Sequence, residues 1–286
     1  MRLVNSAPLA NGTLTFFLPK AQIGNIMIEY TPVAAAGVTL TRANYGNVIL
    51  NWNGKDVVNV DSEILNLLDN VYGGVSEFTP VIAALSRMST FVPCGQWFDN
   101  YNVYDVGDKD QVYIKLDFPD LANPAIVASG SVSIYIKEKI GIQNYLHNII
   151  SRFIPVAGAS TLADTYPVNN ISQVYFKAPT ILTQAQIIKD GQTIVDCPIA
   201  ALNSYSNWIH LLETTNATIA VEFGESKDLR ENLGAQVQYK YTFSGAGTLA
   251  QYFSFIEFTP NKAAESKAKA SAKLVRQSNN SSQFSL

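Results

Sequence analysis

Apolar and polar residues alternate in short runs along most of this chain, and turn residues separate the runs. Val112, Ile114, Leu116 and Phe118 face one way, while Gln111, Tyr113, Lys115 and Asp117 face the other. Val132, Ile134 and Ile136 alternate in the same way with Ser131, Ser133, Tyr135 and Lys137. Period-two patterning of this kind predicts antiparallel strands with one buried and one solvated face. Earlier in the chain, Thr13 to Leu18 and Ile23 to Tyr30 read as strands broken at Pro19. Asn47 to Trp52 reaches the pair Asn53-Gly54 and returns through Lys55 to Val60. An Asn-Gly pair between two such runs predicts a tight hairpin, because both central residues of a type I′ turn need positive φ.

Helical signals are fewer. Asp61 is a good N-cap for a stripe of Ile64, Leu65, Leu68, Val71 and Tyr72 that Gly73-Gly74 ends. A second helix is predicted from Thr79, with Pro80 at its first position, to about Met88. The segment from Ile140 to Val168 looks like a third. Ile142, Tyr145, Leu146, Ile149, Ile150 and Phe153 recur at helical spacing before a loop with Pro155, Gly158 and Pro167. It therefore reads as a helical hinge packed against a β domain on each side.

Beyond that hinge the strand pattern returns. Ile171 to Ala178, Gln184 to Lys189, the pair Asp190-Gly191, a return strand and a short helix opened by Pro198 follow in order. Alternating runs at Ile219 to Phe223 and Val237 to Phe243, and a last strand from Tyr252 to Phe258, complete it. Phe118 and Val132 are separated by the same interval as Phe223 and Val237, an offset of 105, whereas Gly54 and Gly191 differ by 137. Duplication with an insertion in the first half accounts for both offsets. The organisation read from the chain is a first domain at 1–139 with an insertion at about 73–108, a helical connector at 140–168, a second domain at 169–260, and a tail at 261–286.

Composition narrows the function. Only 15% of the 286 residues are charged and 47% are apolar, a low charge density that points to large protein contacts. The net charge of −3 argues against a nucleic-acid binder acting through its whole surface. The tail departs from the rest: Lys262, Lys267, Lys269, Lys273 and Arg276 stand against one acid, Glu265, about +4 on a body of about −7. The end of the tail is polar and low in complexity, as in segments that fold only on a partner. Arg2 leads into Pro8, Asn11 and Gly12 rather than an apolar run, so no secretory signal is expected, and no stretch has the length of a membrane-spanning helix. The glycosylation triplets at Asn11, Asn170, Asn216 and Asn280 carry little weight in that context.

Candidate chemistry is sparse. Cys94 and Cys197 lack metal or redox spacing and read as buried thiols. His147 and His210 have no neighbouring ligand pattern and read as structural. Asp105, Asp108 and Asp110 form either a solvated acidic loop or a cation site. The aromatics from Phe91 to Asp108, with Trp97, Phe98, Tyr101 and Tyr104, form either a packed loop or a ligand platform. No nucleophile elbow, P-loop or dinucleotide fingerprint is present. The reading is that the protein is not an enzyme: no catalytic residue, metal or cofactor is assigned.

One resemblance adds to this. The segments LPKAQIGNIMIEY, NVILNWNGKDV, DQVYIKLDF, TYPVNNISQVYF and IIKDGQTIV, with the strands TIAVEF and QVQYKYTF, resemble the double jelly-roll major capsid proteins of tailless icosahedral, membrane-containing bacteriophages, the corticoviruses in particular. The resemblance covers roughly residues 10 to 260. It implies an all-β fold of two tandem antiparallel jelly-roll sandwiches with a few short helices. It also implies a homotrimer of pseudo-hexameric outline that builds an icosahedral virion shell around an internal membrane and genome. Neighbouring capsomers, vertex and minor capsid proteins and the lipid membrane are the implied partners, with no sequence-specific nucleic acid. Assembly in the host cytoplasm follows, and the basic tail would face membrane or genome. The competing readings are a carbohydrate- or receptor-binding spike or adhesin, using Trp97 and Tyr101 as a stacking surface, and a glycan-cleaving enzyme on a jelly-roll scaffold.

Overall fold

The computed structural model describes residues 1–9, 12–62, 64–65, 88–92, 102–177, 179–210, 218–222 and 236–258. Among these residues, nine strands belong to the first half: β1 (Arg2–Pro8), β2 (Thr13–Phe17), β3 (Ala21–Ala34), β4 (Asn47–Trp52), β5 (Lys55–Asp61), β6 (Met88–Val92), β7 (Tyr104–Val106), β8 (Val112–Asp117) and β9 (Val127–Glu138). Eight belong to the second: β10 (Tyr145–Val156), β11 (Ser160–Thr165), β12 (Ile171–Lys177), β13 (Leu182–Lys189), β14 (Gln192–Pro198), β15 (Thr218–Glu222), β16 (Val237–Phe243) and β17 (Gly247–Phe258). A helix, α1 (Ile199–His210), follows β14.

The strands assemble into three sheets. One has the order β1-β9-β3-β6, with β7 also on β3; a second has β11-β16-β13-β14; and an eight-stranded sheet runs β15-β12-β17-β10-β5-β4-β8-β2. If the eight strands of a jelly roll are lettered B to I, these orders resolve into two complete copies. The first half gives β1-β9-β3-β6 as BIDG and β2-β8-β4-β5 as CHEF, with β7 as a second piece of G. The second half gives β10-β17-β12-β15 as BIDG and β11-β16-β13-β14 as CHEF. The fold is a double jelly roll. The central sheet is the CHEF half of one unit continued into the BIDG half of the next.

The join is parallel. Ile149 and Ile150 of β10 pair with Val58 and Asn59 of β5, whereas β10 pairs antiparallel with β17 along its whole length, from Tyr145↔Phe258 to Val156↔Gly247. Residues 145–156 are therefore a strand, and the expected helical connector is corrected. The apolar spacing misled because Tyr145, Leu146, His147, Asn148 and Ile149 are all buried, so this part of the strand has no solvated face to break the run. The connector joins both cores nonetheless. Leu146 and Ile149 belong to the first hydrophobic core together with Tyr175 and Tyr252 of the second half. Ile154 and Val156 belong to the second core, and Ile150 packs against it.

Both predicted tight turns are present. Asn53 and Gly54 have φ of 53° and 87°, and Asp190 and Gly191 have 51° and 80°. The strands at Phe118 and Val132 are not the counterparts of those at Phe223 and Val237. The topology matches β8 with β16, which places Val112 opposite Val237 in the repeat at an offset of 125. Alternating strands resemble one another closely enough for the offset of 105 to have aligned the wrong pair. Ser62, Ile64 and Leu65 are helical after Asp61, whose Oδ1 accepts from the Ile64 amide at 2.9 Å, as an N-cap should. The rest of that helix, most of the predicted helix from Thr79 and the tail at 261–286 lie outside the described residues, as does most of 73–108. Within that range, however, β6 and β7 pair with β3 as strand G, so the expected insertion is corrected there.

Burial across the seam sets an energetic expectation. Ile149→Ala removes a side chain that is fully buried in the first core from a strand of the second half, at a cost of about 2–5 kcal/mol. Calorimetry should show one transition moving to lower temperature as a whole. Two separate transitions, only one of them shifted, would mean that the two jelly rolls fold independently.

Candidate functional site

Among the described residues, no group of His, Cys, Asp and Glu has the arrangement of a metal centre. The polar side chains that do converge lie on the seam. Asp61 ends β5, and its Oδ2 accepts from Lys177 Nζ of β12 at 3.2 Å and from Tyr252 Oη of β17 at 3.0 Å. One carboxylate thus caps a helix in the first unit and ties two strands of the second. Lys55, at the other end of β5, forms an ion pair with Glu257 of β17.

The segment leading into β10 is held to the first unit by side-chain bonds. Asn102 Oδ1 accepts from the amides of Asn144 and Tyr145 at 2.9 and 3.3 Å, and its Nδ2 donates to the Tyr145 carbonyl at 3.3 Å. Tyr104 Oη donates to the His147 carbonyl at 3.2 Å, and Gln143 Oε1 accepts from the Asp105 amide at 2.8 Å. Gln22 accepts from Lys139 through its carbonyl and from Gly141 through its side chain. Buried backbone groups need partners, and here side chains supply most of them across the junction. The ties through Asp61 and Asn102 were not anticipated. Asp61 was legible only as an N-cap, and a lone buried Asn carries no sequence signal.

His147 is fully buried on β10, and its Nε2 shares a hydrogen bond of 2.6 Å with Ser254 Oγ on the neighbouring β17. Burial pushes its pKa down from 6.5 to about 3, so the imidazole is neutral at ordinary pH. It lies on a strand, not on the expected hinge helix, and its place is structural. His210 ends α1, and its side chain lies outside the described residues, as do Cys94, Trp97, Phe98 and Tyr101. The aromatic platform therefore lies largely outside them. Tyr104 is inside and buried, edge-on to Trp52 at 5.6 Å. Cys197 is a free thiol on β14, only partly buried.

The three loop acids do not converge. Asp108 pairs with Lys20 at 2.6 Å. Asp110 accepts from the Gly107 amide and from Asn53 Nδ2, both at 2.9 Å, closing its own turn onto the β4–β5 turn. Asp105 engages Gln143 through its amide. The tail residues Lys262, Lys267, Lys269, Lys273 and Arg276 lie outside the described residues.

What remains is surface; Val33 on β3 and Phe153 on β10 are exposed on interior strands, and the other exposed large apolar residues are at edges and junctions. Met1 and Leu3 are exposed on or beside β1, Ile140 and Ile142 between β9 and β10, Phe17 on β2, and Ile194 on β14. Among the described residues, β1, β2 and β14 are outer strands of their sheets. Unpaired outer strands are templates for association with another chain. An arrangement with apolar residues on outer strands can dock with protein.

Two side-by-side jelly rolls fused through one sheet define the double jelly-roll class. Solved structures place the chain within it. The major capsid protein of bacteriophage PM2 superposes with a TM-score of 0.62 at 14% identity, over 92% of this chain and 97% of that one. The capsid protein of the PBCV-1 virus gives 0.57 at 10% identity, over 90% and 94%. At these identities the likeness is one of fold. No family model matches the sequence, and no curated protein matches it in sequence.

The buried imidazole gives a pH signature. His147 binds a proton readily when unfolded but not when folded, so stability is full above about pH 6.5 and is lost as pH falls towards about 3. Its share is up to about 1.4 kcal/mol for each pH unit in that window. Denaturant melts at pH 7, 5.5 and 4 should therefore show a shallower loss for His147→Gln than for the unmodified chain. Equal slopes would mean that the imidazole ionises freely in the folded state.

Proposed function

We propose that this chain is a major capsid protein. Three copies form a capsomer of pseudo-hexagonal outline, and the capsomers tile an icosahedral shell around an internal membrane and the genome. The observation that carries this reading is the fused sheet. It makes two jelly rolls into one inflexible tile with open edges at both ends, which suits a part used many times in identical surroundings. The similarity to the two capsid proteins runs over nine-tenths of the chain and supports the same reading. Low charge density suits it as well, since repeated contacts among closely packed copies cannot carry many unpaired charges.

The partners in this reading are other copies of the chain, the vertex and minor capsid proteins and the membrane, and its place is the virion after assembly in the host cytoplasm. Lys262, Lys267, Lys269, Lys273 and Arg276 face anionic headgroups, each contributing about 1 kcal/mol near such a surface.

Sedimentation of the purified protein should give a mass about three times 31.2 kDa. Quantitative proteomics of virions from the source should find it the most abundant protein. A monomer that is also a minor virion component would overturn the reading in favour of a spike. Deleting residues 261–286 should weaken flotation with phosphatidylserine vesicles and leave flotation with neutral vesicles unchanged. Equal binding to both by the full chain and the truncated one would remove the tail from the membrane.

A further inference from the structure

The two hairpins made of strands E and F are the same object in two surroundings. In the first, Trp52↔Lys55 closes the turn, Asn51↔Asp56 follows, and a bulge at Val57 precedes Leu50↔Val58 and Ile49↔Asn59. In the second, Lys189↔Gln192 closes the turn, Ile188↔Thr193 follows, and a bulge at Ile194 precedes Ile187↔Val195 and Gln186↔Asp196. The turn geometry and bulge position agree residue for residue, so β5 and β14 correspond at a constant offset of 137.

Their burial differs. Val57 is 0% exposed, whereas its counterpart Ile194 is 41% exposed. Val58 and Val60 are buried, but Val195 and Cys197 are only partly so. The difference has a topological cause: β5 has β10 beside it, while β14 ends its sheet among the described residues. The B strands differ in the same sense. β10 begins with five buried residues, whereas β1, the matching strand of the first unit, has none and exposes Leu3 by 51%. The chain thus contains one F-to-B contact, β5 against β10, and presents the two halves of a second at its opposite ends.

From this we infer that β14 of one copy lies parallel along β1 of the next, repeating between chains the contact that β5 makes with β10 within one. The four-stranded sheet ending at β14 and the sheet beginning at β1 are then the two halves of another continuous sheet, completed only by association. The contact is heterologous, since a different strand meets from each side, and a heterologous contact must close into a ring or run on as a filament. This deepens the trimer reading and rests on it: three copies with the internal and external seams equivalent close a ring of six jelly rolls.

Cys197 lies on β14 and supplies the probe. Leu3→Cys and Asn5→Cys, each with Cys94→Ala, should crosslink to it with a short bismaleimide. The reaction needs mildly alkaline pH, because partial burial and Asp196 push the Cys197 thiol up. Denaturing gels should show a ladder that stops at three chains and that is absent without the introduced cysteine. A ladder stopping at two would reveal an isologous contact and overturn the proposal. A sample that sediments as a trimer but fails to crosslink at either position would overturn this assignment and leave the trimer standing, whereas a monomer in sedimentation would overturn both. As a second measure, Ile194→Lys should keep the melting temperature of the isolated chain, since the side chain is exposed, and raise the concentration for half-assembly about tenfold or more. Unchanged assembly would exclude β14 from the contact.

Discussion

The rest of the structure depends on the parallel contact between β5 and β10. Its register involves only Val58 and Asn59 with Ile149 and Ile150, yet it turns two four-stranded halves into one sheet and lets side chains of the second unit complete the core of the first. Its geometry also fixes what can be polar nearby. Asp61 can serve Ile64, Lys177 and Tyr252 together only because β5, β12 and β17 share a sheet. His147 and Ser254 can be buried against each other only because β10 and β17 are covered. Charge is kept to a minimum in this layer, since a buried ion without its partner costs several kcal/mol.

Most of the strands could be read from the chain because one of their faces is wet. β4, β5, β8, β9 and β16 announce themselves by alternation, and Asn53-Gly54 and Asp190-Gly191 announce their turns by residues that tolerate positive φ. The failures fall where that contrast is lost. The first half of β10 is covered on both faces, so its apolar residues run together and imitate a helical stripe. At β1 and β11 the difficulty is the opposite: exposure is so general that RLVNSAP and STLADT show no face at all. The false offset of 105 has a related origin, because a strand's pattern reports its own burial and says nothing of its neighbours in the sheet.

The same reasoning explains why so little of the functional surface could be read. Catalytic and metal sites depend on residue types that sequence makes conspicuous. A tile depends on edges, and an edge is a property of topology. Leu3 and Ile194 are ordinary residues, and their place at an edge appears only when β1 and β14 are seen to be the outermost described strands of two sheets that match the halves of the sheet between them. The acidic loop illustrates the converse. Asp105, Asp108 and Asp110 were conspicuous as a group, but the chain spends them on separate local contacts with Gln143, Lys20 and the β4–β5 turn.

The position of β17 has a consequence for how the protein is made. It lies between β10 and β12 in the central sheet, yet among the described residues it is the last strand to leave the ribosome. Twelve residue pairs with β10 and most of the support for β12 wait for it. Until it arrives, the first jelly roll can collapse, but β10 has only its short contact with β5, and the buried layer around His147 and Gln173 stays wet. Chain order thereby sets a checkpoint on synthesis: a truncated product lacks the strand that locks the two units together, and cannot pass as a finished part.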